Sequence, residues 1–167
     1  MNCKTFYAGL VGLVVFSTAA SSDAATGTAL INADVLPTSS ISASVGLNFG
    51  ELTAGPTAGT VTVGPDGSRT SAGGVNINSS SVSSPATFRL VGAPNGTFDV
   101  ILPVSVAISD PNGNSMLVDR FQSRPAGSGV LDASGEQVLA IGGTLNVSAN
   151  QVFGTYSGVM NVTITYN

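Results

Sequence analysis

The chain has 167 residues, 5 basic and 9 acidic side chains, no histidine and a formal net charge of −4. A sparsely charged, acidic chain excludes nucleic acid as a partner, because phosphates need clustered Lys and Arg. One cysteine, Cys3, and one lysine, Lys4, both stand at the start, which excludes thiol and Ser–Lys chemistry from everything downstream.

Lys4 precedes an apolar run over 6–16 that is too short to span a membrane, and small residues follow at Thr18–Ala20 and at Ala24 and Ala25. This is the pattern of a secretory signal peptide, assigned to 1–24. Its removal takes Cys3 and Lys4 with it and leaves Arg69, Arg89, Arg120 and Arg124 as the basic side chains. The mature chain is expected to be secreted, with no membrane insertion. Length suffices for one domain with its own core.

Residues 28–36 alternate, with Ala29, Ile31, Ala33 and Val35 on one face, and Pro37 ends the run because it brings no N–H to a ladder. Residues 28–36 are therefore read as a strand. Alternation resumes over 41–49, and Gly50, Gly55 and Pro56 read as turn residues. A short strand is predicted over 59–63, then a turn at Pro65-Asp66-Gly67 and a returning strand over 68–78. A serine-rich loop at 79–84 leads to two hairpin-like units, 86–91 with 97–102 and 104–109 with 115–121. A strand at 130–131 and a long apolar one over 137–147 follow, with a bend or bulge at Gly142-Gly143. The last strand is predicted from Tyr156 to Asn167, with Tyr156, Gly158, Met160, Val162, Ile164 and Tyr166 on its apolar face. Ending on such a strand invites addition of another. Eight to ten short strands without helical periodicity predict an all-β, immunoglobulin-like sandwich, with a closed barrel as the alternative.

Without histidine, and with no Lys or Cys after the signal, Ser–His–Asp, Cys–His and Schiff-base catalysis lack their parts. Zinc lacks its preferred ligands. Asp99, Asp110, Asp119, Asp132 and Glu136 could in principle form a carboxylate pair, but all lie at turns or on outward strand positions and read as solvated surface. Asp110-x-Asn112-x-Asn114 has the spacing that opens a calcium loop, yet lacks its glycine and terminal glutamate, and reads as a turn. No catalytic residue, metal or cofactor is expected.

Three segments carry a resemblance: Leu47-Asn48-Phe49-Gly50-Glu51-Leu52; Gly59-Thr60-Val61-Thr62-Val63 with Pro65-Asp66-Gly67-Ser68-Arg69-Thr70; and Asn150-Gln151 through Tyr166-Asn167. Together they resemble a bacterial secreted family catalogued as domain of unknown function 4402, which implies no enzyme activity. Gly154-Thr155-Tyr156-Ser157-Gly158-Val159 running into the terminal strand also resembles the end of chaperone–usher pilin subunits. That resemblance implies an immunoglobulin-like domain lacking its last strand, filled first by a periplasmic chaperone and then by the next subunit's N-terminal extension. Carried onto this chain, the resemblance implies a donor-strand-like extension at 25–38 before a sandwich domain at 39–167, with donor residues Ala29, Ile31, Ala33 and Val35. The acceptor edge is Tyr156, Gly158, Met160, Val162, Ile164 and Tyr166. Partners would be other copies, head to tail, with a chaperone and an outer-membrane usher, and the chain would pass through the periplasm to the cell surface. The alternative is a monomeric extracellular carbohydrate- or surface-binding module.

Overall fold

Alternating β-branched and polar residues, punctuated by Gly, Pro, Asn and Asp, give ten strands in the computed structural model, which describes residues 38–167. These residues belong to the second of two units, 35–167. The signal peptide at 1–24 and the extension at 25–38, apart from Thr38, lie outside the described residues.

The strands are β1 (Ser40–Val45), β2 (Leu52–Val63), β3 (Arg69–Ile77), β4 (Ala86–Val91), β5 (Thr97–Ile101), β6 (Ser105–Ser109), β7 (Ser115–Arg124), β8 (Ser128–Val130), β9 (Glu136–Val147) and β10 (Thr163–Tyr166). All pairings are antiparallel. One sheet holds seven strands, and the other runs β10-β5-β8. The protein is an all-β, two-sheet sandwich, as the alternation predicts.

β9 is the shared strand of the larger sheet. Along one edge it pairs with β7, from Arg124–Ala140 to Leu117–Asn146. Its other edge pairs first with β4, from Val91–Glu136 to Ala86–Ile141, and then with β2, from Val63–Gly143 to Gly59–Val147. The change of partner falls at Gly142-Gly143. A Cβ on Gly143 would stand 3.0 Å from the Phe121 ring, and one on Gly142 would run into the Val63 carbonyl. Glycine is what allows two strands and a ring to approach β9 here.

The handover divides the core in two. Val61, Val75, Met116, Val118, Leu145 and Val147 form one cluster, and Ala86, Leu90, Phe98, Leu131, Leu139 and Ile141 the other. Leu47 and Phe121 pack against both.

Three strand predictions need correction. β2 begins at Leu52, and Gly55-Pro56 lie inside it and do not end a segment: the register slips between Ala54 and Gly59, so the proline sits in a bulge, where no ladder N–H is required. β1 stops at Val45, and across residues 46–51 the only strand-like pairing is the Asn48–Ser84 bridge. The final strand is confined to Thr163–Tyr166, whose partner β5 ends at Ile101, two residues before Pro103. Upstream of it the chain makes a single bridge, Ser157 to Ser109.

Alternation along β9 sets a test. Leu139 is fully buried while its neighbour Val138 is 61% exposed. Leu139→Ala is expected to cost about 2–5 kcal/mol of unfolding free energy. Val138→Ala should change it by no more than about 0.5 kcal/mol, both read from urea unfolding.

Candidate functional site

Two stretches of backbone run beside one another without pairing. Residues 41–54 pair on one edge only, through β1 with β4 and through the start of β2 with β3. Residues 151–165 pair with β5 at their end and touch β6 at Ser157. Among the described residues these two walls are hydrogen-bonded to each other only at their ends. The Tyr166 hydroxyl donates to the Ser40 carbonyl at 2.7 Å, and the Asn150 N–H donates to the Gly55 carbonyl at 2.8 Å. Position 40 meeting 166 and 55 meeting 150 makes the walls antiparallel.

Between them lies an open slot with a cavity volume of 1230 Å³, bounded by 47–54 on one side and 150–158 with Met160 on the other. Its floor is apolar: Ile108, Met116, Val118, Phe121 and Leu145. The N–H and C=O groups of 158–162 have no backbone partner among the described residues. The slot thus presents apolar surface flanked by unpaired main chain on both sides, the combination that accepts an added strand.

β1 shows the same incompleteness. Ile41 pairs with Leu90, so both share a face, yet Leu90 is fully buried and Ile41 is 40% exposed. The sheet that covers Leu90 does not reach Ile41.

Of the predicted acceptor residues, Tyr156, Met160, Val162, Ile164 and Tyr166 are half-buried and pack on the two core clusters. Gly158 is exposed, and its backbone passes close to β6: a Cβ there would stand 2.7 Å from the Ala107 carbonyl oxygen. The predicted donor residues Ala29, Ile31, Ala33 and Val35 lie outside the described residues.

The first wall is held by residues whose role single-chain periodicity does not signal. The Pro65-Asp66-Gly67 turn, closed by Gly64 carbonyl acceptance from Gly67 at 3.0 Å and by Ser68 N–H and Oγ on Asp66, delivers Arg69. The Arg69 guanidinium donates to the Phe49 carbonyl at 3.1 Å, to Ser81 Oγ at 3.0 Å and to the Asn78 carbonyl at 2.5 Å. Asn78 Nδ2 donates in turn to Glu51 Oε2 at 2.8 Å. Gly50, at φ 70°, passes directly beneath the guanidinium, where a Cβ would collide with it. The Leu47–Leu52 and Pro65–Thr70 motifs therefore act on each other: one forms the wall and the other clamps it.

The second wall begins in a compact loop. The Tyr156 hydroxyl donates to the Val152 carbonyl at 2.6 Å and accepts from Gln151 Nε2 at 3.0 Å. This loop rests near the β6–β7 hairpin, where a Cβ on Gly154 would lie 3.3 Å from Asp110 Oδ2.

The carboxylates are occupied as structural acceptors. Asp110, 6% exposed, accepts from the Asn112 and Asn114 N–H groups and from Asn114 Nδ2. N–H donors point at both of its oxygens, so the Asp110-x-Asn112-x-Asn114 spacing builds a turn and not a cation loop. Asp132 likewise accepts from Ser134 and Glu136, Glu136 pairs with Arg89, Asp119 with Arg120, and Asp99 with Asn167. Among the described residues no three His, Cys, Asp or Glu side chains gather where they could hold a metal ion.

These features define a class: an antiparallel β-sandwich whose sheets leave one slot open between two unpaired walls. The chain belongs to the family described as Domain of unknown function (DUF4402), whose model matches residues 39–166. Comparison with curated proteins and with solved structures finds no match.

The hydrogen bond from Asn114, opposed by burial, holds the Asp110 carboxyl below its ordinary range; Asp66 and Asp132 are lowered chiefly by Ser68 and Ser134. A depressed carboxyl stabilises the fold above its unfolded pKa of about 3.9 and loses that contribution as pH falls through the folded value. The urea midpoint should stay level from pH 7 to about 5 and fall below about 4. Asp110→Asn should lower the midpoint at pH 7 and shrink its fall between pH 5 and 3; an undiminished fall would remove Asp110 as a contributor.

Proposed function

We propose that this chain is a non-enzymatic, secreted structural subunit of a surface fibre. In this reading the slot of one copy takes residues 25–38 of another as an added strand. A single observation carries it: an apolar floor lies between two walls, one paired along one edge only and the other without a backbone partner at 158–162 among the described residues. Leaving both the apolar surface and the main chain in water wastes two kinds of stabilisation that an extended segment would recover at once.

Residues 28–36 have the chemistry of such a segment. Ala29, Ile31, Ala33 and Val35 would point to the floor formed by Met116, Val118, Phe121 and Leu145, while the backbone pairs with both walls. The segment and the slot belong to one chain, so the contact between copies is head to tail and does not close on itself. Such contacts propagate into filaments. A chaperone holding the slot in the periplasm and an outer-membrane usher are the partners this reading implies. A glycan-binding module is less well supported: Tyr156 and Tyr166 turn their hydroxyls to the backbone, and Phe153 is the one exposed aromatic ring among the described residues.

Deleting residues 28–36 should abolish fibres in electron micrographs and leave monomers with an unchanged β circular-dichroism spectrum. Ile31→Asp in the full chain should lengthen the lag of assembly or abolish it without altering the fold. Fibres from the deletion variant would overturn the proposal.

A further inference from the structure

We infer that the end of the slot at Phe153 is the seat on which the body of the next copy rests. The inference depends on the reading above, in which residues 25–38 enter a neighbouring copy's slot.

Its first support is the length of chain between the donor and its own domain. Between Leu36 and the first residue of β1, Ser40, stand only Pro37, Thr38 and Ser39. At about 3.3 Å per residue the tether reaches little more than about 13 Å, and Pro37 keeps it extended. Wherever the donor leaves the slot, its own domain must lie against that end. No free linker exists to hold the two bodies apart.

Its second support is the difference between the two ends. Each is spanned by one hydrogen bond, from the Tyr166 hydroxyl to the Ser40 carbonyl at one and from the Asn150 N–H to the Gly55 carbonyl at the other, and the first is flanked by polar Ser39 and Asn167. The other carries Phe153, 96% exposed, Val82, 77% exposed, and Val152, 48% exposed, all bordering the same cavity. Large exposed apolar side chains grouped around one cavity mark a contact surface. The tether requires a body at one end, and the one exposed aromatic ring among the described residues stands at the Phe153 end. The base of the incoming copy, where β1 begins, offers a complement in Val130, 54% exposed, which pairs with Thr97, the residue whose carbonyl accepts from the Asn167 N–H.

A direction follows. A donor that leaves at the Phe153 end runs parallel to the 41–54 wall and antiparallel to the 151–165 wall, with Ala29 toward Tyr166 and Val35 toward Phe153. The stacking of copies is then set by two contacts, the strand in the slot and Phe153 on the neighbour's base.

Cross-linking within assembled protein tests this. Full chains carrying Cys3→Ser are prepared with either Ser39→Cys or Thr155→Cys, mixed, assembled and treated with a short bis-maleimide. The expected product is a dimer joining Ser39→Cys to Thr155→Cys. Fibres whose Ser39→Cys chains join Asn167→Cys chains in place of Thr155→Cys would overturn the inference and leave donor exchange standing. In parallel, Phe153→Ser should raise the concentration needed for fibres at least tenfold with an unchanged monomer spectrum, and an unchanged threshold would overturn it. If the unmodified chain forms no polymer, the donor reading fails and this inference fails with it.

Discussion

The feature on which the structure turns is an unmet demand for backbone hydrogen bonds along two walls that touch only at their ends. A sheet edge must be paired, covered or hydrated. Here the edges of 41–54 and 158–162 flank a floor made of the same side chains that form the core: Met116, Val118 and Leu145 are buried members of one cluster and also line the slot. The slot is therefore a gap in the sandwich and not a pocket added to its surface. Its proposed occupant is accordingly a strand.

The rest of the fold holds this gap open. β9 supports β7, β4 and β2, and the glycine pair at 142–143 lets the larger sheet change partners in mid-strand. Phe121 sits where the two clusters meet and packs over Gly143. The Arg69 clamp fixes the first wall from outside through carbonyls at 49 and 78, and the Tyr156 loop fixes the second from within its own turn. Each wall is braced separately, so neither needs the other to stay in place. That suits a site whose filling comes from elsewhere.

Much of this was legible in residue order. The alternation from Tyr156 to Tyr166 identifies the inward side chains at Tyr156, Met160, Val162, Ile164 and Tyr166, all half-buried. It does not give the pairing, because a period of two reports which face is wet and carries no information about which neighbour supplies the hydrogen bonds. The extent of the final strand was overestimated for that reason, and Gly158 was placed inward although β6 leaves no room for a side chain there. Gly55-Pro56 reads as a turn locally, but the opposing Gly73-Gly74 lets β2 carry them in a bulge. The part played by Arg69 could not be found by periodicity, since its partners are main-chain carbonyls, which every residue possesses. The family resemblance carried by Pro-Asp-Gly-Ser-Arg-Thr and Leu-Asn-Phe-Gly-Glu-Leu was the available signal, and the clamp shows how the two segments act on each other.

The central claim is that the slot is empty of main-chain partners in one copy and filled by another. Amide hydrogen exchange of the full chain, compared between monomer and assembled polymer, tests it most directly. The account predicts that the N–H groups of 158–162 exchange rapidly in the monomer and gain at least a hundredfold protection on assembly, while those of β9 are protected in both. Equal protection of 158–162 in the monomer, or rapid exchange persisting in the polymer, would contradict it.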